Sequence, residues 1–185
     1  MPSRTNADQP EKAAAAVLER FKMGDIAPIP VDKIAKGLGA VVRYSPLDDE
    51  LSGMIYIKDG TPIIGVNALH HVNRQRFTIA HECGHLELHR ELLSSEVHVD
   101  KEYEVPVLVF NRDHRSSLGT QPIEIQANRF AAALLVPHAL LQKTLDGRLA
   151  SADIDDESPL DELARKFRVS KSMMEYRLKS LSATN

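Results

Sequence analysis

The sequence predicts an α+β domain: a small, mostly antiparallel sheet packed on one helix that carries HECGH, further helices around it, and a helix-turn-helix-like pair at the C-terminal end. Three observations predict it. Residues 40–67 fall into short β-branched or alternating runs (AVVRY, LSGMIYI, PIIGV), the period-2 signal of half-buried strands. The segments on either side carry apolar residues at helical spacing, among them RFTIAHECGHLELH at residues 76–89. The length of 185 residues suits one compact domain that buries a real core without covalent staples.

In chain order, residues 1–9 read as a flexible polar tail. A first helix starts at Pro10, capped by Asp8 or Gln9, and runs through AAAAVLERF towards Gly24. PIPVDKIAKGLG is a short helix ended by Gly37 or Gly39. The three strand runs follow, and KDGT between the last two is an Asp-Gly hairpin turn. Asn73 can cap the next helix, over residues 74–89. EVPVLVF, at residues 104–110, reads as an edge strand because Pro106 cannot donate to a ladder. The helix IEIQANRFAAALL opens after Pro122 and stops at Pro137. A polar, acidic link, GRLASADIDDESP, then leads to the final helical pair near residues 159–181. This divides the chain into the tail (1–9), a main domain (10–148), and the link with its C-terminal helices (149–185), which are expected to pack on the core.

A net charge of −3 excludes a global electrostatic footprint for nucleic acid or anionic lipid. One cysteine, Cys83, allows no intrachain disulfide, and the run Ala13 to Ala16 is too short and too weakly apolar for a signal-peptide core or a membrane span. A cytoplasmic protein without a membrane partner is expected.

The chemistry concentrates in HECGH. On a helix rising about 1.5 Å per residue, His81 and His85 stand one above the other about 6 Å apart and can aim both imidazoles at one ion. Glu82, turned about 100° from His81, reaches a water on that ion rather than the ion itself. This is the H-E-x-x-H signature of zinc peptidases, with Glu82 as general base. Two imidazoles and a carboxylate amid Thr78, Ile79, Ala80, Leu86 and Leu88 would be costly to bury unpaired, and a cation removes that cost. His89 lies about 12 Å along the axis from His81, too far to share the ion. The metzincin extension fails too, because Leu88 and Glu91 stand where Gly and His are needed. Glu124 is the better third ligand. It opens a helix whose Ala127, Phe130, Ala131 and Leu134 form an apolar stripe able to pack on the first. A surface carboxylate complementing the helix N-terminus is the competing reading. Asn128, one turn on, can hold a histidine ring in its tautomer, or can simply be a packing residue.

NRQRFTIAHECGHLELH followed by EIQANRFAAALLVP, after a short sheet containing LSGMIYI, resembles the ImmA/IrrE family of bacterial metallo-endopeptidases. The resemblance runs from about Val31 to Pro137, and the long segment between the two motifs departs from shorter members. It implies a zincin-like domain with a gluzincin-like site: Zn2+ held by His81, His85 and Glu124, with Glu82 catalytic. Mn2+ or Fe2+ also suit two histidines and a carboxylate. It implies as substrate a helix-turn-helix transcriptional repressor encoded nearby, whose cleavage derepresses stress-response or mobile-element genes.

Tyr56, His98, Tyr103 and His114 are candidates to support a developing oxyanion, and the sequence selects none. Arg74 and Arg76 read as first-turn or loop-anchoring residues, and Cys83 as an inert buried thiol. DELARKFRVSKSMMEYRLKSL carries six basic and three acidic side chains, a mild excess that favours packing or partner docking over DNA binding. Ser170, or Ser172 with Glu175, can cap its second helix. The competing functional reading is a non-catalytic, metal-stabilised regulatory module that docks a protein partner or DNA. An intact Glu82 argues against it, since a structural site needs no general base.

Overall fold

The computed structural model describes residues 8–94, 121–150 and 159–182. Helix α1 (Gln9–Phe21) has Pro10 in its first turn, where a missing N–H costs nothing, and Asp8 at its cap without a side-chain bond. It ends at Lys22 rather than Gly24. Lys22 turns left-handed (φ 54°), and the amides of Lys22 and Met23 return to the carbonyls of Glu19 and Leu18. Helix α2 (Val31–Gly37) buries Val31, Ile34 and Ala35, and Gly39 at φ 85° turns the chain into the sheet.

Strands β1 (Val41–Ser45), β2 (Gly53–Lys58) and β3 (Thr61–Asn67) lie in the order β1-β3-β2. The β2–β3 hairpin is antiparallel, and both turn residues have positive φ (Asp59 50°, Gly60 76°), as an Asp-Gly turn of this type demands. Strand β1 runs parallel to β3, with Val41 opposite Ile63 and Ser45 opposite Asn67. The sheet is therefore mixed, not mostly antiparallel. The hairpin occupies one edge of β3, so β1 takes the other, and residues 46–52 carry the chain across. The buried Asn67 pins that crossover: its Nδ2 reaches the carbonyls of Leu47, Asp48 and Leu51 at 3.0–3.2 Å.

Helix α3 (Val72–Leu88) carries HECGH. Its cap is His71, whose Nδ1 accepts from the Asn73 amide at 3.2 Å. The Asn73 side chain, expected as the cap, instead donates to the Val169 carbonyl at 3.0 Å and ties α3 to the C-terminal helices. The short helix α4 (Arg90–Ser94) follows, then α5 (Gln121–Leu135) and α6 (His138–Ala150). Pro137 stops α5, yet its carbonyl accepts the first bond of α6 from Leu141. Helix α6 is an element that the sequence pattern does not predict, and it takes Gly147 to Ala150 out of the expected acidic link.

Helices α7 (Pro159–Phe167) and α8 (Lys171–Ser182) are joined through Arg168 at φ 51°. Of the two candidate serines, Ser170 caps α8, accepting from the Met173 amide at 3.2 Å. Leu163, Phe167 and Met174 are buried in the core that also holds Val17, Ile55, Ile64, Ile79, Phe130 and Leu134. Arg177, 1% exposed, donates to the Val136 carbonyl and to the carboxylate of Glu11, and so ties α8 to α1. The expected tail (1–9) is shortened by the helix, which takes Gln9 with Asp8 at its cap; its residues 1–7, the edge strand at 104–110, His98, Tyr103, His114 and the acidic run at 151–158 lie outside the described residues. Among the described residues no helix is long and apolar enough to cross a membrane.

Candidate metal centre

From Thr78 to Leu86 every residue of α3 is buried, the burial pattern of a helix enclosed on all sides. Strand β2 covers one flank and α5 another. Gly84 allows the close approach of α5: a Cβ there would stand 3.1 Å from Ala127 Cα and from Phe130 Cδ1. A glycine inside a helix costs about 1 kcal/mol against alanine, so its presence between Cys83 and His85 was a readable sign of tight helix packing. That approach brings Glu124, in the first turn of α5, onto the face of His81 and His85.

His81 Nε2 and His85 Nε2 are 3.0 Å apart, and the two oxygens of Glu124 lie 3.2 and 3.3 Å from them. Ligands about 2.0–2.1 Å from a tetrahedral ion would be about 3.3–3.4 Å from each other. The three donor groups thus already have the spacing of a metal's first ligands. Their chemistry fits as well, since two neutral imidazoles and a carboxylate are a donor set common to zinc and its neighbours. His81 Nδ1 lies 3.0 Å from Asn128 Oδ1, which requires the proton on Nδ1 and leaves the Nε2 lone pair facing the centre.

The metal-free electrostatics follow from this crowding. Burial pushes the His81 imidazole down, but the carboxylates of Glu124 and Glu82 together with Asn128 outweigh it, and its pKa is raised overall. For His85, burial wins over the attraction of Glu124, helped by repulsion from His81 and His89, and the pKa is lowered. Burial would raise Glu124, but its bonds to both histidines hold it well below the usual carboxylate range.

Glu82, 4% exposed, opens into a cleft whose walls include His81, Glu124, Ser52, Arg74 and Phe77. Arg74 is exposed, as a first-turn residue should be, yet it lines this cleft and donates to Ser52 Oγ at 2.7 and 3.0 Å. Arg76 is a loop anchor: it donates to the carbonyls of Ile29 and Arg168, and burial lowers its pKa. Tyr56 is not among the cleft's lining residues. Burial, with help from Glu82, pushes the Cys83 thiol far up, so it stays protonated and unreactive. A larger, mainly apolar cavity of about 790 Å³ adjoins, sharing Arg74 and Phe77 with the cleft and bounded by Ile125, Asn128, Met173 and Tyr176.

The Peptidase_M78 family model, the IrrE N-terminal-like domain, matches residues 35–179. The chain belongs to this family. The match takes in both motif helices and most of the C-terminal pair, so the three donor groups of this IrrE N-terminal-like domain sit inside the family's own region. Membership of a metal-dependent peptidase family and a cluster able to hold a metal ion agree on the class of chemistry. Among solved structures, a Mycobacterium tuberculosis transcriptional regulator shares the fold, with a TM-score of 0.57 and 19% sequence identity over 90% of this chain. The chain spans 46% of that protein's length. No curated protein sequence matches significantly.

Proposed function

We propose that this IrrE N-terminal-like domain is a zinc-dependent endopeptidase with narrow specificity for a helix-turn-helix transcriptional repressor. The observation that carries the reading is the placement of Glu82 on the cleft wall beside His81, His85 and Glu124. Among the described residues the donor cluster has three members, which suits a site with a coordination position for water more than a closed structural site. When bound, the ion lowers the pKa of water and polarises the scissile carbonyl.

The chain's own residues do the rest. His81, His85 and Glu124 hold the ion, and Asn128 keeps His81 in the tautomer that can bind it. The Glu82 carboxylate accepts the proton of the attacking water as the new C–O bond forms at the peptide carbonyl. It then returns that proton to the amide nitrogen as the C–N bond breaks, so no proton is lost from the cycle. The apolar cavity beside the cleft offers room for a bulky substrate side chain near the scissile bond. The repressor substrate follows from the family resemblance alone.

The test compares wild type with Glu82→Gln. Bound metal is quantified in both, and each is incubated with the helix-turn-helix repressor encoded nearest the gene. Metal in both proteins and cleavage by the wild type alone is the expected result. A wild type that takes up no zinc refutes the metal centre, and cleavage by both proteins refutes the role of Glu82.

A further inference from the structure

The outer edge of the metal centre contains a third imidazole, one that the reaction above does not use. His89, 7% exposed, lies one turn beyond His85 at the C-terminal end of α3. Its Nδ1 is 3.1 Å from His85 Nδ1, and its Nε2 is 2.8 Å from Gln126 Oε1 on α5.

The hydrogen positions follow by elimination. His85 turns Nε2 towards His81 and Glu124, so a neutral His85 able to bind a cation there carries its proton on Nδ1. That proton points at His89 Nδ1, which must then accept. His89 is left with its single N–H on Nε2, facing an amide oxygen that can only accept. One carbonyl on α5 therefore sets the tautomer of two rings in succession. Asn128 Oδ1, on the same helix, does the same for His81 directly.

We propose that His89 and Gln126 are positioning residues for the metal centre, a relay from an α5 amide that holds His85 with its Nε2 lone pair towards the ion. The proposal rests on the metal-binding reading above. Partners of this kind orient a ligand ring and raise its basicity, and their loss typically weakens metal binding by about 10- to 100-fold.

The experiment measures the zinc dissociation constant by competition with a chromophoric chelator. The visible spectrum of the Co2+-loaded protein and the melting of each metal-free protein are recorded alongside. The variants are Gln126→Leu, which keeps bulk but cannot accept; Gln126→Glu, which still accepts; His89→Phe, which cannot pass the bond on; and Glu124→Ala as a ligand-loss reference. The expected result is zinc weakened about 10- to 100-fold in Q126L and H89F, with an altered Co2+ spectrum. Affinity is retained in Q126E, while metal-free Q126L melts somewhat below wild type because the buried His89 N–H loses its acceptor. Unchanged affinity in Q126L and H89F overturns the relay. Equal loss of zinc affinity in Q126E and Q126L overturns it in favour of a packing role. Failure of the underlying reading looks different: wild type and Glu124→Ala then bind zinc equally poorly.

Discussion

Gly84→Ala sets two opposing effects against each other at the point where the site is assembled. On an exposed helix the change would stabilise by about 1 kcal/mol, because alanine loses less backbone freedom than glycine. Here the added Cβ would meet Ala127 Cα and Phe130 Cδ1 at 3.1 Å and the Ala127 carbonyl oxygen at 3.3 Å. Carbon atoms prefer about 3.5–4.0 Å, so something must yield by roughly 0.4 Å or more. Phe130 is fully buried, and the Ala127 atoms are backbone. The whole of α5 must therefore retreat, at the roughly 1–3 kcal/mol that overpacking costs. The net loss is about 1 kcal/mol, a fall in melting temperature of about 2–4 °C for a chain of this size.

The effect on the metal centre is larger than the effect on stability. Metal–ligand distances tolerate about 0.2 Å, and a retreat of roughly 0.4 Å carries Glu124 away from His81 and His85 by twice that. Zinc affinity is expected to fall by at least about tenfold, the order seen when a ligand loses its orientation. Calorimetric melting of the metal-free protein and chelator competition for zinc measure the two effects on one preparation. A Gly84→Ala protein that melts at or above the wild type and binds zinc as tightly refutes the reasoning, since propensity would then have won and α5 would not be pinned by the missing Cβ.

Three further outcomes are expected. Glu11→Ala leaves the buried Arg177 guanidinium with the Val136 carbonyl as its remaining bond; because Glu11 is partly exposed, the loss should sit at the low end for a broken buried pair, about 3 kcal/mol. Replacing Arg177 by Met in the same protein removes the stranded charge and should recover part of that loss in a denaturant titration; no recovery refutes the account. Tyr44, 48% exposed, donates to Asp32 at 2.7 Å, and the partial desolvation of its hydroxyl together with that bond pushes its pKa up to about 12. A raised pKa means that its contribution to stability is complete below about pH 10 and fades as the pH climbs through 12. The melting advantage of wild type over Tyr44→Phe should therefore shrink above pH 10, and a constant gap counts against it. Zinc must displace the proton that the carboxylates help His81 to keep. Its affinity should accordingly rise with pH through and above the ordinary imidazole range near about 6.5, and equal affinity at pH 5.5 and 8 contradicts this.

What the sequence alone determined is what neighbouring residues encode. A four-residue spacing places His81 and His85 on one helix face, wherever that helix goes, and Asp59-Gly60 makes a hairpin because both residues tolerate positive φ. The stripe on α5 also foretold a packed helix that could present Glu124 and Asn128, and the structure brings both to the histidines. Tertiary structure decided the rest. The parallel pairing of β1, the His71 cap, and the left-handed Lys22 depend on where the chain returns after a crossover or a turn, for which periodicity has no signal. Distance along the helix keeps His89 from sharing the ion with His81, but distance along one helix is silent about a ring standing behind another ring. Its contact with Gln126 joins residues 37 positions apart. Helical spacing specifies which side chains share a face, but only the packing of α5 across Gly84 decides which of them meet.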